Sequence, residues 1–167
     1  SIAAWAISGK LDFLIWTVSD AFSIAVSTFV AQNYGAKKHQ RARDGIKVAL
    51  SMSMVAIFII SFTLYFYNKP LAYFLIDDKE VVDLTSEVIH LIAPLYFMYV
   101  IGDVLSGAIK GIGNTLHPMI INIFGICICR ILWVFLIVPL NPTFFMVLYG
   151  FIVSWIITAL IYIVYII

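Results

Sequence analysis

Apolar residues fill five long stretches of this chain, roughly 11–33, 45–67, 84–109, 118–139 and 143–167, with short polar breaks between them. A helix rising 1.5 Å per residue needs ~20 residues to cross ~30 Å of hydrocarbon, and each stretch is long enough. The breaks carry helix-stopping chemistry. Gly35 closes the first stretch, Asn68 and Pro70 close the second, and Gly111 and Gly113 follow the third. Pro118 opens the fourth, and Pro139, Asn141 and Pro142 separate the last two. The pattern predicts an all-α integral membrane protein of about five transmembrane helices. Residues 71–76, LAYFLI, read as a short helix lying in the membrane interface.

Composition places the chain in the same class. Of 167 residues, 63% are hydrophobic and 11% charged, with a mean hydropathy of +1.07. A soluble domain carries about 25% charged residues, and its core could not hide this much apolar surface. The net charge of +1 gives no reason to expect a nucleic-acid partner. Cys127 and Cys129, two apart on a helix, point to different faces and read as ordinary buried thiols. The chain starts at Ser1 without a signal peptide pattern and stops at Ile167 inside an apolar stretch. We expect it to be a piece of a longer protein.

Charge then orients the helices. Lys37, Lys38, Arg41 and Arg43 crowd the first break, with Lys47 just beyond. Asp77, Asp78, Glu80 and Asp83 follow the second stretch, with Glu87 close behind. Basic residues collect in short cytoplasmic loops, so the first break is expected inside and the acidic one outside. Lys110 in the next connection agrees. The first helix would therefore run inward and the fifth would end at the cytoplasmic side.

Three charges fall well within the apolar stretches: Asp20, Asp103 and Arg130. A charge at membrane depth costs about 2.5–3.5 kcal/mol, so it faces a bundle interior or a watery cavity. Asp12, Trp16, Asp20, Ser23 and Ser27 recur at helical spacing opposite Leu14, Val18, Ala25 and Phe29. That face lines a lumen, or its serines pack helices closely. Tyr96, Tyr99, Asp103, Gly107 and Lys110 share a second face. Tyrosines beside a carboxylate suit a large cation, while the carboxylate supplies charge or binds a proton. The competing reading of Asp103 is an ion pair, with Arg130 as its partner. Arg130 stays charged, so its expected role is structural. His90 and Glu87 share a face near the outer surface, and Pro94 removes a backbone hydrogen bond and bends the third helix. No metal-ligand spacing, phosphate-binding glycine loop or nucleophile elbow is present, so no enzyme and no cofactor are expected. The glycines of GAIKGIGNT (107–115) end an apolar helix and favour close helix approach and a tight turn.

Three segments resemble the multidrug and toxic compound extrusion (MATE) family. STFVAQNYGAKKHQRAR (27–43) is similar to a helix that closes on a Gln-Asn-x-Gly-Ala turn and a basic loop, here Gln32, Asn33, Gly35, Ala36 and Arg41. GAIKGIGNTLHP (107–118) is similar to the family's Gly-x-x-Arg-Gly-x-Gly-x-Thr element, with Lys110 where arginine is usual. CRILWVFLIVPLNPT (129–143) and VSWIITA (153–159) resemble the last two helices of a C-terminal lobe. The resemblance implies a twelve-helix transporter of two six-helix lobes in the bacterial cytoplasmic membrane, with this chain covering most of the C-terminal one. The other lobe would be its partner.

The family exchanges Na⁺ or H⁺ for large, often cationic organic molecules by alternating access. Some branches place an acidic cation ligand about one turn before Asp103, where this chain has Tyr99. The helix face therefore carries over and the ligand assignment does not. Asp20, Asp103, Tyr96, Tyr99 and Ser23 are the expected substrate or ion pathway. Gln32, Asn33, Gly35, Gly107, Gly111 and Arg130 are the expected structural motif. Gly35 is expected to end its helix in a left-handed conformation, with Gln32 and Asn33 capping free carbonyls. The leading expectation is a cation-coupled exporter of organic cations. The alternatives are a flippase for a lipid-linked oligosaccharide or peptidoglycan precursor and a non-transporting assembly subunit.

Overall fold

Five helices follow one another in the computed structural model, which describes residues 2–166. They are α1 (Ile2–Gly35), α2 (His39–Leu75), α3 (Lys79–Gly111), α4 (Leu116–Leu140) and α5 (Phe144–Ile166), each long and apolar enough to span a membrane. The first two exceed their expected lengths because polar residues near their ends satisfy themselves inside a helix. Ser8 is fully buried and donates to the Trp5 carbonyl at 3.0 Å. Asn68 and Pro70 kink α2 at Tyr67 (φ −110°, ψ 18°) without ending it. Asn68 Nδ2 donates to the Tyr65 carbonyl at 2.7 Å, and His90 Nε2 lies 3.1 Å from both groups. Residues 71–76 are thus no separate interfacial helix. Through Leu75 they continue α2 beyond its kink.

Asp78 starts α3 by accepting hydrogen bonds from the amides of Glu80 and Val81 at 3.0 and 3.3 Å, and Glu80 complements the helix dipole. Pro94 tightens α3 into a 3₁₀ turn at Ala93–Leu95. Gly113 turns the chain towards α4 with φ +88°, a conformation that glycine adopts freely. Within α4, π-helical turns at Ile123–Ile128 and Trp133–Ile137 interrupt the α-helical spiral.

The core lies among α1, α2, α3 and α5, built on Ile15, Ile57, Leu64, Ile89, Val100, Leu148 and Trp155. Large apolar side chains such as Phe58, Phe124, Phe135 and Leu136 point outward, as lipid-facing positions do. Cys127 is among the outward positions and Cys129 is half-exposed, so neither is the buried thiol that an apolar run suggests. Both lie on α4, which is little buried along its length.

The contact between α1 and α3 positions the site. These helices run parallel, and four facing pairs along them, Asp12–Tyr96, Ser19–Asp103, Ser23–Gly107 and Ser27–Gly111, are each 84 residues apart. Tyr96 donates to the Asp12 carboxylate, and Ser19 Oγ donates to Asp103 Oδ2 at 2.6 Å. Further along, Gly107 faces the Ser23 backbone, and Gly111 faces Ser27. A Cβ on Gly111 would lie 2.6 Å from the Ser27 carbonyl oxygen, and one on Gly107 would strike the Ser23 carbonyl. Small residues let membrane helices approach this closely.

Candidate functional site

A cavity of about 100 Å³ opens in the bundle interior between α3, α4 and α5. Met98, Tyr99, Gly102, Asp103 and Ser106 line it from α3, Asn122 and Ile126 from α4, and Trp155 and Thr158 from α5. It has room for a few waters or a small ion, well short of the ~300–1,000 Å³ of drug-sized ligand sites.

Each polar group has a local reason for its place. Asp103 is half-buried, with one carboxylate oxygen held by Ser19 and its backbone carbonyl accepting from Ser23 Oγ at 2.9 Å. Tyr99, one turn earlier, tilts against Trp155 with ring centroids 5.7 Å apart. Ser106 Oγ is buried with no hydrogen-bond partner among the described residues. Asn122 Oδ1 accepts from Tyr162 at 3.0 Å, and Thr158 Oγ1 donates to the Ser154 carbonyl at 2.7 Å. A carboxylate, hydroxyls, an amide and two aromatic rings thus meet in one small chamber. Oxygen ligands of this kind suit a hard cation or a proton. Among the described residues, no three His, Cys, Asp or Glu side chains gather to hold a metal.

The expected pathway residues separate into three groups. Asp103 and Tyr99 line the cavity. Ser23 and Tyr96 are buried in the α1–α3 contact, where Ser23 holds the Asp103 backbone and Tyr96 holds Asp12. Asp20 is exposed on the flank of α1 and does not reach the cavity. The geometry of α1 explains this. Steps of four residues overshoot a ~3.6-residue turn, so Asp20 sits ~80° round from Asp12, whereas Ser19 stays within ~20°. The stripe read as Asp12, Trp16, Asp20, Ser23 and Ser27 took Asp20 in place of Ser19, and nothing in the local sequence singled out Asn122 or Thr158.

Arg130 does not pair with Asp103. Its Nε donates to Ser154 Oγ at 3.0 Å, and its guanidinium covers the Phe151 ring at 4.1 Å, which ties α4 to α5. In the first turn, Gly35 stays helical and the left-handed residue is Lys37 (φ 58°). Asn33 Nδ2 donates back to the Phe29 carbonyl at 2.8 Å, and the Lys38 amide closes onto the Asn33 carbonyl at 2.8 Å. Gln32 takes part through its backbone, accepting from the Ala36 amide at 3.1 Å.

A bundle of five membrane-spanning helices with a carboxylate held inside it defines a polytopic membrane protein with a small polar interior. The MatE family model matches residues 1–136, and the chain belongs to that family. It is 24% identical over 122 residues to a probable multidrug resistance protein NorM of Thermotoga maritima, covering 73% of this chain and 26% of that protein. It is 26% identical over 140 residues to an FAD transporter of Shewanella oneidensis, covering 84% of this chain and 29% of that protein. It is 23% identical over 124 residues to multidrug and toxin extrusion protein 2 of Mus musculus, covering 74% of this chain and 22% of that protein. A crystal structure of a MATE mutant shares the fold with a TM-score of 0.85 at 20% identity, covering 98% of this chain and 37% of that one. The chain spans about a quarter of the length of the curated relatives it matches.

Proposed function

We propose that this chain forms most of one lobe of a cation-coupled antiporter that exports organic cations across a bacterial cytoplasmic membrane by alternating access. The observation that carries the proposal is the interior chamber in which Asp103, Tyr99, Ser106, Asn122 and Thr158 converge. A chamber this small suits the coupling ion, Na⁺ or H⁺, and leaves the organic substrate to a larger space completed by the other lobe. Asp103 is the one charged side chain in its wall. When Asp103 takes up a cation or proton, its field on α3 and on Ser19 of α1 is cancelled. That local charge change is suited to biasing the two helices between packed arrangements. Asp20, on the exposed flank of α1, faces outward from this lobe and would meet a cationic substrate in the larger space. The basic turn at Lys37–Arg43 is placed on the cytoplasmic side. Relatives named for multidrug resistance and toxin extrusion support this reading.

A second reading has one specific support: a relative named as an FAD transporter. Export of an anionic aromatic metabolite would use Arg130 on its Phe151 platform in place of Asp103.

The test is efflux of a fluorescent organic cation from pump-deficient bacteria that express the full-length protein or its Asp103→Asn variant at equal levels. Export by the parent and none by the variant supports the cation exporter. Equal export by both removes Asp103 from the mechanism. Flavin export that depends on Arg130, with no cation export, selects the second reading.

A further inference from the structure

A groove of about 440 Å³ lies between α1 and α2 at the end of the lobe where the basic turn emerges. Phe22 and Phe29 of α1 and Val48 and Met52 of α2 wall it, and Arg41 and Asp44 stand at its mouth. Val48 and Met52 are 55% and 56% exposed, so the walls open to the surroundings. Gly45 forms its floor, and a Cβ there would strike the Phe29 ring.

The charge at this mouth is strongly one-sided. Residues 37–47 hold Lys37, Lys38, Arg41, Arg43 and Lys47 against Asp44 alone. Asp44 Oδ1 accepts from Gln40 Nε2 at 3.1 Å, so part of its charge is already engaged. The one ion pair among the described residues, Lys69 with Asp83, lies elsewhere, so none of these five cations has an ion-pair partner among the described residues. Orientation in the membrane accounts for how many cations a loop carries. It does not account for an arginine at the open end of an apolar groove.

We propose that this groove binds an anionic phospholipid, with one acyl chain between the Phe22–Phe29 and Val48–Met52 walls and the headgroup phosphate on Arg41. The planar guanidinium fork matches phosphate oxygens, and the four neighbouring cations hold negative charge near it. Basic pockets between transmembrane helices recognise lipid headgroups by this combination. Charge complementarity selects the lipid over an apolar helix, which would fill the groove and leave the cations unmatched. The proposal does not depend on what the protein transports.

Native mass spectrometry of the full-length protein tests it, with phosphatidylglycerol and phosphatidylcholine of identical acyl chains as probes. Phosphatidylglycerol is expected to bind several-fold better. Arg41→Ala is expected to lower that binding about fivefold, the order expected for one basic residue near an anionic surface. Lys37→Ala, which removes the same charge outside the groove wall, is expected to have a smaller effect. Both variants are at exposed positions, so folding is not at stake. Equal binding of the two lipids, or equal losses in the two variants, would overturn the site. Displacement of the lipid by inorganic phosphate alone would overturn the acyl-chain component. Protection of a Val48→Cys thiol from a membrane-soluble maleimide in lipid-free micelles would place a protein segment in the groove and overturn the lipid assignment.

Discussion

Replacing Gly107 with alanine should loosen the α1–α3 contact and, through it, the grip on Asp103. The size of the effect follows from the shared register of the two helices. A methyl group at Gly111 would sit 2.6 Å from the Ser27 carbonyl oxygen. Ordinary carbon–oxygen contacts begin at ~3.3 Å, so relief there needs a separation of ~0.7 Å. The methyl group at Gly107 comes closer still to the Ser23 carbonyl, and because that atom is backbone, the helices must part by about 1 Å. The Ser19 Oγ to Asp103 Oδ2 distance of 2.6 Å would then stretch to ~3.6 Å, beyond a hydrogen bond. Overpacking costs about 1–3 kcal/mol, and the lost interhelical bond about 0.6 kcal/mol. Alanine returns up to ~1 kcal/mol through its higher helix propensity. The net loss is about 2 kcal/mol. Gly9 is the internal control, since a Cβ there meets nothing within 4 Å. Gly9→Ala should be neutral or slightly stabilising. Thermal unfolding of the two full-length variants in one detergent checks the difference. Equal stability of Gly107→Ala and Gly9→Ala would refute the close-packed register.

Other perturbations separate the parts of the lobe. Trp155→Ala removes a buried side chain packed against Tyr96 and Tyr99 and should cost about 3–5 kcal/mol in thermal unfolding, because the site collapses only partly. In a background lacking Cys127 and Cys129, Tyr99→Cys should react with a water-soluble thiol reagent. Ser23→Cys, sealed between α1 and α3, should not. Lys69→Ala and Asp83→Ala break a 2.7 Å ion pair whose partners are 56% and 46% exposed, and a double-mutant cycle should find no measurable coupling.

Much of the architecture was legible in the sequence because the bilayer imposes its length on each helix. The apolar stretches, the tight turn at Gly113 and the close approach at Gly107 and Gly111 all follow from composition and spacing. Errors arose where a polar residue had a partner that local sequence does not name. Asn68 and Pro70 looked like a stop, yet His90 from α3 reaches the group exposed at the kink. Asp12 looked like part of a wet stripe, yet Tyr96, 84 residues away, buries it. An ion pair between Asp103 and Arg130 was the competing reading of Asp103, and it fails for the same reason, since Ser19 and Ser154 satisfy the two side chains separately. In the cavity, Tyr99 and Asp103 were visible as a helical stripe. Asn122 and Thr158 come from two other helices, and only their packing brings them in.

The most direct measurement is transport by the purified full-length protein in proteoliposomes under an imposed Na⁺ or H⁺ gradient, with a labelled organic cation. Gradient-driven movement should occur with at least one of the two ions and vanish in Asp103→Asn while the variant remains folded. Movement that ignores both gradients, or that persists in the variant, would contradict a coupling role for Asp103.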